Sequence, residues 1–410
     1  MEQRGTYQNF LVVSMAVMAV AVSVTMVQYK VPTIIPGIVA SGVMDVRQTT
    51  FLMPAFTFVG IFLALPAGLL VHRIGAKNAL LASVGIVAAA SLGIMSENVA
   101  VLYACRVFEG MALTLLIVSG PVVVQHKIAP DRRGVATGLW IVGGMLGAFL
   151  AGVLTPTVFE LGGLLGVWLG YAALTMAAGM ALFLVVDDRR GEPDRATVPG
   201  RAPGGGTPPA DRASPVARTP PAAYRLLLTR NMLLFFASFV VFQILLLTTL
   251  TFSPTYLQQN DFSPTLSGLV STLPMLLSIV TSVAFGIIAD RTGRYKLLYL
   301  VGLIAMALAV FCMFTSTGTT LWLGVALMGL LGMGAPTVAV AVYPRLIGDP
   351  AMLAVGMGLL TVIQSIGQFL GTMLPALVLG PALDQWAMMA SVVFGISAFG
   401  ISFAILCRIK

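Results

Sequence analysis

The chain has 410 residues, 58% of them hydrophobic and 9% charged, with a formal net charge of +8 and a mean hydropathy of +0.98. That is far more apolar side chain than a soluble core of this size can hide, so the composition excludes a soluble globular domain and points to a bilayer. The basic excess comes without an aromatic-basic surface motif, which argues against nucleic acid as a partner and leaves membrane topology as its explanation.

The first apolar run, Phe10 to about Val27, is longer than a signal-peptide core and no small-residue cleavage site follows it, so it reads as a retained first helix. Crossing a hydrocarbon layer of about 30 Å takes about 20 helical residues. Polar interruptions then mark twelve predicted spans, near 9–38, 48–70, 78–95, 99–125, 134–155, 165–186, 231–257, 267–289, 296–315, 320–344, 351–378 and 385–407. The expected fold is an all-α integral membrane protein with twelve transmembrane helices in two pseudo-symmetric six-helix bundles. Segment 191–224 carries Pro203-Gly204-Gly205-Gly206-Thr207-Pro208-Pro209 and has too little apolar area to fold. It reads as a flexible cytoplasmic linker between an N-terminal bundle, 1–190, and a C-terminal bundle, 225–410. With both termini placed in the cytoplasm, 20 of the 23 Lys and Arg residues fall on the inner side and only Arg47 lies in an outer loop. This positive-inside pattern fits a multi-pass protein of a bacterial-type cytoplasmic (inner) membrane.

One loop occurs twice, 218 residues apart. Gly68-Leu69-Leu70-Val71-His72-Arg73-Ile74-Gly75 and Gly286-Ile287-Ile288-Ala289-Asp290-Arg291-Thr292-Gly293 each close one apolar segment and open the next. Gly75 and Gly293 permit a tight reversal, and Asp290 is placed to accept hydrogen bonds from a helix start or an arginine. A duplicated helix-loop-helix in so apolar a chain points to two homologous bundles.

These residues resemble the loop motif of the major facilitator superfamily, G-x-x-x-D-R-x-G-x-x-K, matched by Gly286, Asp290, Arg291, Gly293 and Lys296. The first copy matches at Gly68, Arg73 and Gly75, with His72 at the acidic position. The stretch from Leu102 to Gly110, with Arg106 three residues before Glu109, is similar to the family's fourth-helix motif. The resemblance covers essentially the whole chain and implies a secondary active transporter whose bundles rock around a central site. It also implies a cytoplasmic gate built from both loop copies, weakened in the first by His72. The fifth span lacks the glycine-proline signature of the family's drug antiporters: Gly147-Ala148-Phe149-Leu150-Ala151-Gly152 has no proline.

Three charges fall inside predicted spans: Lys30, Arg106 and Glu109. A charge within a span is costly and faces protein or a water-filled path, so each is a candidate functional residue. Together with the family's placement of the first and fourth helices beside the path, Lys30 and Arg106 suggest a cationic site for a small organic or inorganic anion, flanked by Gln28 and Tyr29. Glu109 is the candidate proton-coupling group. A plainer reading of the same spacing has Arg106 and Glu109 neutralising each other on one helical face while Lys30 reaches outward. In the second half the polar candidates for the path are Gln243, Tyr343, Gln364 and Gln368.

Cys105, Cys312 and Cys407 are scattered, and His72 and His126 stand apart from any carboxylate cluster, so neither a disulfide framework nor a metal site is expected. No nucleophile-base pair accompanies them and no cofactor is called for. The chain reads as a carrier rather than an enzyme, working as a monomer in the lipid bilayer on a small, anionic substrate with accompanying protons. Proton-driven export of a drug or metabolite, and a non-transporting membrane sensor or scaffold, are the alternatives.

Overall fold

The computed structural model describes residues 9–96, 98–186, 229–347, 353–380 and 382–408. The predicted linker at 191–224 lies outside them, with all the arginines from Arg189 to Arg225. The described residues are helical throughout, in stretches whose ends follow from local chemistry. Helix α1, Phe10–Tyr29, opens on Asn9, whose side chain accepts from the Leu11 N–H. It gives way to a 3₁₀ turn at Pro32–Ile34 before α2, Ile35–Ala40. The first predicted helix, 9–38, is therefore not continuous. Pro32 has no N–H to extend the helical ladder, and the chain tightens there instead.

Helix α3, Val46–Thr50, begins in a capping box between Asp45 and Gln48, and α4, Leu52–Ile74, follows with one residue between them. Next come α5, Ala76–Leu92; α6, Val99–Lys127, capped by the Asn98 side chain; and α7, Arg133–Val185. After the undescribed segment run α8, Arg230–Gln259; α9, Pro264–Thr292; and α10, Tyr295–Thr315. The predicted tenth span, 320–344, is divided by a 3₁₀ turn at Gly332–Gly334 into α11, Thr319–Leu330, and α12, Ala335–Ile347. Helices α13, Leu353–Leu379, and α14, Trp386–Leu406, complete the chain. Among the described residues, eleven stretches are long and apolar enough to cross a membrane. The protein is an all-α, multi-pass membrane protein.

Helix α7 runs for 53 residues, and Gly163 inside it has non-helical angles, φ 59° and ψ −157°. The Thr155 and Tyr171 hydroxyls meet at 2.6 Å, although they are 16 residues apart. At 1.5 Å per residue a straight helix would separate them by about 24 Å, so the chain folds back at Gly163 and α7 has two limbs.

Glycine sets several of the close approaches. A Cβ on Gly110 of α6 would overlap the Phe56 carbonyl of α4, and one on Gly147 would overlap the Val22 carbonyl of α1. Gly367 and Gly371 of α13 lie against the α8 backbone at Val240 and Ile244. Contacts also join the parts before and after the undescribed segment. Thr57 and Thr372 share a hydrogen bond of 3.3 Å between α4 and α13. Ser278 of α9 donates to the Met145 sulfur of α7 at 3.2 Å. The Gln258 amide donates to the Thr33 carbonyl at 2.9 Å. Gly152 of α7 and Gly268 of α9 meet backbone to backbone, with no room for a Cβ on either.

Candidate functional site: a buried ion cluster

Lys30, Arg106 and Glu109 form one cluster, and each has 0% exposure. Lys30 Nζ donates to Glu109 Oε1 at 2.6 Å and Arg106 Nη1 donates to Glu109 Oε2 at 2.6 Å. Bonds this short between ionised groups are strong, and they offset part of the cost of removing three charges from water. The spacing of Arg106 and Glu109 on α6 puts both on one face, while Lys30 reaches them from the end of α1. The plainer reading of the spacing is half met. Arg106 and Glu109 do pair, but Lys30 turns inward to share the carboxylate rather than reaching outward.

The break in α1 builds the rest of the site. The last carbonyls of a helix have no partner within it, and Pro32 cannot supply the N–H that would bond Gln28 in a continued helix. Arg106 takes up these acceptors, donating from Nη1 to the Val27 carbonyl at 3.0 Å and from Nη2 to the Gln28 carbonyl at 3.2 Å. Its Nε reaches the Leu52 carbonyl at 3.4 Å and its guanidinium lies over the Phe56 ring, 4.4 Å from the centroid. Arg106 thus braces α1, α4 and α6 together with its whole donor fork. A positive charge at the C-terminal end of α1 also complements the helix dipole.

Lys30 is held differently. Apart from Glu109, its ammonium lies 4.0 Å from the centroid of the Trp168 ring, a cation–π contact supplied by the second limb of α7. Trp168 is 2% exposed, and its indole N–H has no hydrogen-bond partner. The cluster therefore contains two cations and one carboxylate, a surplus of one positive charge that a single negative charge would cancel.

The flanking candidates take other parts. Gln28 contributes its backbone carbonyl to Arg106, and Tyr29 is buried beside it in the chain. Gln243 is buried against Gly367 of α13, and its side-chain oxygen has no partner. Gln364 and Gln368 are half-buried on the same helix. Tyr343 is fully buried in an aromatic stack, with ring centroids 5.9 Å from Phe235 and 5.7 Å from Phe236. None of these four is a hydrogen-bond or ion-pair partner of the cluster described above. Trp168, Phe56 and the three carbonyls are not legible as site residues in the sequence, because aromatic side chains in apolar spans are ordinary packing and carbonyls carry no letter.

The two loop copies differ in geometry. In the second, Asp290 accepts from the Tyr295 hydroxyl at 2.8 Å, tying the end of α9 to the start of α10, and Lys296 Nζ donates to the Ile405 carbonyl at 2.6 Å near the end of α14. Arg291 is exposed, and a Cβ on Gly286 would meet the Thr337 methyl at ordinary van der Waals distance. In the first copy His72 and Arg73 are exposed, Gly68 has open space around it, and Asn78 bonds the Ile74 carbonyl at 2.8 Å. Gly293 is left-handed, φ 66° and ψ 3°, whereas Gly75 has φ 86° and ψ 149°. The second pair of angles lies close to a region that only glycine populates. Gly75→Ala is accordingly expected to destabilise the fold by about 2–3 kcal/mol and Gly293→Ala by only about 1–2 kcal/mol. Denaturation of the two purified variants in detergent checks the order, and equal costs would contradict it.

Comparison with known proteins places this architecture. The chain is 25% identical over 145 residues to an MFS-type transporter, ppzB, of Metarhizium majus, and 24% identical over 145 residues to its counterpart in Metarhizium rileyi. Each match covers 35% of this chain but only 32% and 30% of those proteins, so the chain spans about a third of the length of these curated relatives. Among solved structures, a point mutant of the nucleoside transporter NupG has a similar fold, with a TM-score of 0.75 and 12% identity over 97% of this chain and all of that one. So does a bacterial homologue of the human lysosomal transporter Spinster, described as inward-facing and unoccupied, with a TM-score of 0.74 and 15% identity over 96% of both chains. The family model for the Major Facilitator Superfamily matches residues 10–372. With that match across most of its length, the chain belongs to the Major Facilitator Superfamily, a family of membrane carriers rather than enzymes.

Proposed function

We propose that this protein is a secondary active transporter that takes up a small organic or inorganic anion together with protons, by alternating access. The observation that carries the reading is the surplus positive charge of the buried cluster, two cations on one carboxylate with no exposure. Net charge at membrane depth is expensive, and a bound anion cancels it. Arg106 is the positioning residue, since its fork is filled by carbonyls and Glu109, while Lys30 is the cation free to exchange one carboxylate for another. Glu109 lies between the two and is bonded to both, so it is the group through which proton uptake couples to the anion once the anion has bound beside the ionised cluster. Proton entry also offsets the membrane potential that opposes anion uptake.

In this reading the two limbs of α7 count as separate spans. That makes twelve, in bundles 1–190 and 225–410 joined by 191–224, with both termini on the cytoplasmic side of a bacterial-type inner membrane and the monomer as the working unit. The second loop copy serves as the intact cytoplasmic gate.

Proteoliposomes loaded at a fixed internal pH and offered carboxylates, inorganic oxyanions and lipophilic cations test the reading. Saturable anion uptake accelerated by an inward proton gradient is expected, and Lys30→Met is expected to lower it at least a hundredfold. Transport of the lipophilic cations with every anion ignored would overturn it in favour of export.

A further inference from the structure

We propose that Trp168 is a substrate-binding residue, and that the substrate is a monovalent carboxylate held between the Lys30 ammonium and the Trp168 indole N–H. This rests on the anion reading above and narrows it. The indole N–H is a donor only, so a buried one without an acceptor is a cost that folding alone does not explain. Trp168 is 2% exposed, its N–H has no partner, and its ring lies 4.0 Å from the Lys30 ammonium. The N–H therefore lies within roughly 6 Å of that ammonium, and a carboxylate, whose two oxygens accept separately at about 2.8 Å, can bridge donors so spaced.

Lys30 is already fitted to a carboxylate, because Glu109 makes that contact at 2.6 Å. A substrate carboxylate repeats the contact from the Trp168 side and adds the indole bond that Glu109 does not make. Arg106 does not compete for the substrate, since its donors go to Glu109, Val27, Gln28 and Leu52. Charge then sets the class. The cluster has a surplus of one, so a monocarboxylate leaves it neutral, whereas a dicarboxylate leaves a buried negative charge.

Binding to the purified full chain in nanodiscs, followed by thermal shift, tests the assignment with acetate, lactate and benzoate as probes against acetamide, lactamide, benzamide and the dicarboxylate succinate. Saturable stabilisation by at least one monocarboxylate, with none from its amide and none from succinate, is expected. Trp168→Phe keeps a ring beneath Lys30 and removes the donor, so affinity for that probe falls about tenfold or more while Lys30→Met removes binding altogether. If Trp168→Phe folds poorly, the isostere with sulfur in place of the indole nitrogen, introduced at position 168, makes the same comparison.

Unchanged affinity in either Trp168 variant, with binding lost in Lys30→Met, overturns the role of Trp168 and leaves the anion reading standing. Preference for succinate, or for an inorganic oxyanion in a parallel titration with phosphate, overturns the monocarboxylate class alone. Stabilisation by the amides with no response to any anion overturns both.

Discussion

Replacing Glu109 with Gln destabilises the protein by about 3–5 kcal/mol, the cost of leaving a buried charge without its partner. The variant keeps the volume of the side chain but strands Lys30 and Arg106, two like charges with 0% exposure on opposite oxygens of the lost carboxylate. Lys30→Met has the smaller effect on stability, because it leaves Arg106 and Glu109 as a neutral pair with the carbonyls of α1 still satisfied. The double variant is therefore more stable than Glu109→Gln alone, an inversion that only a shared electrostatic unit produces. Chemical denaturation of the four proteins in detergent reads this directly. A Glu109→Gln variant within about 1 kcal/mol of the parent, as is usual for substitutions away from buried charges, would show that the cluster is hydrated in the working protein.

The second large effect is expected at Gly268. Any side chain there meets the Gly152 carbonyl and the Thr33 methyl, so Gly268→Leu cannot keep α7 and α9 in contact. The overlap is with backbone, which has no rotamer to yield, and the helices must separate. The same region holds the Gln258–Thr33 bond and the buried, unpartnered hydroxyls of Thr33 and Ser271, which gain water when it opens. Gly268→Leu should raise the rate at which a cysteine placed at Ser271 reacts with a charged thiol reagent by at least tenfold. It should also lower transport turnover. Labelling in a Ser271→Cys background, with and without Gly268→Leu, is the measurement, and equal rates would mean that the contact is dispensable. The three native cysteines, Cys105, Cys312 and Cys407, are to be replaced first.

Much of the fold was legible because bilayer physics is strict. The runs of apolar residues had to be helices, since backbone groups in hydrocarbon satisfy each other only within a helix or a closed barrel. The repeated loop and the stretch around Arg106 and Glu109 carried the family as well, and the family model agrees over residues 10–372. The breaks were less legible. Pro32 and Gly332 each interrupt a span that hydropathy alone runs together, because hydropathy averages over a window and a backbone turn occupies one or two residues, whereas the reversal at Gly163 falls between the predicted spans 134–155 and 165–186.

For the site, sequence and structure divided the work unevenly. By itself the sequence determined that three charges lie in apolar spans, because burying a charge is costly enough to mark its position wherever it occurs. It also determined that Arg106 and Glu109 share a helical face, which their spacing requires. Only the tertiary structure decided that Lys30 turns toward Glu109, that Arg106 spends its fork on carbonyls at the end of α1, and that Trp168 lies against Lys30 with its N–H unused. Those contacts join residues 78 positions apart and more, and helix packing, which one chain's residue order does not spell out, sets them.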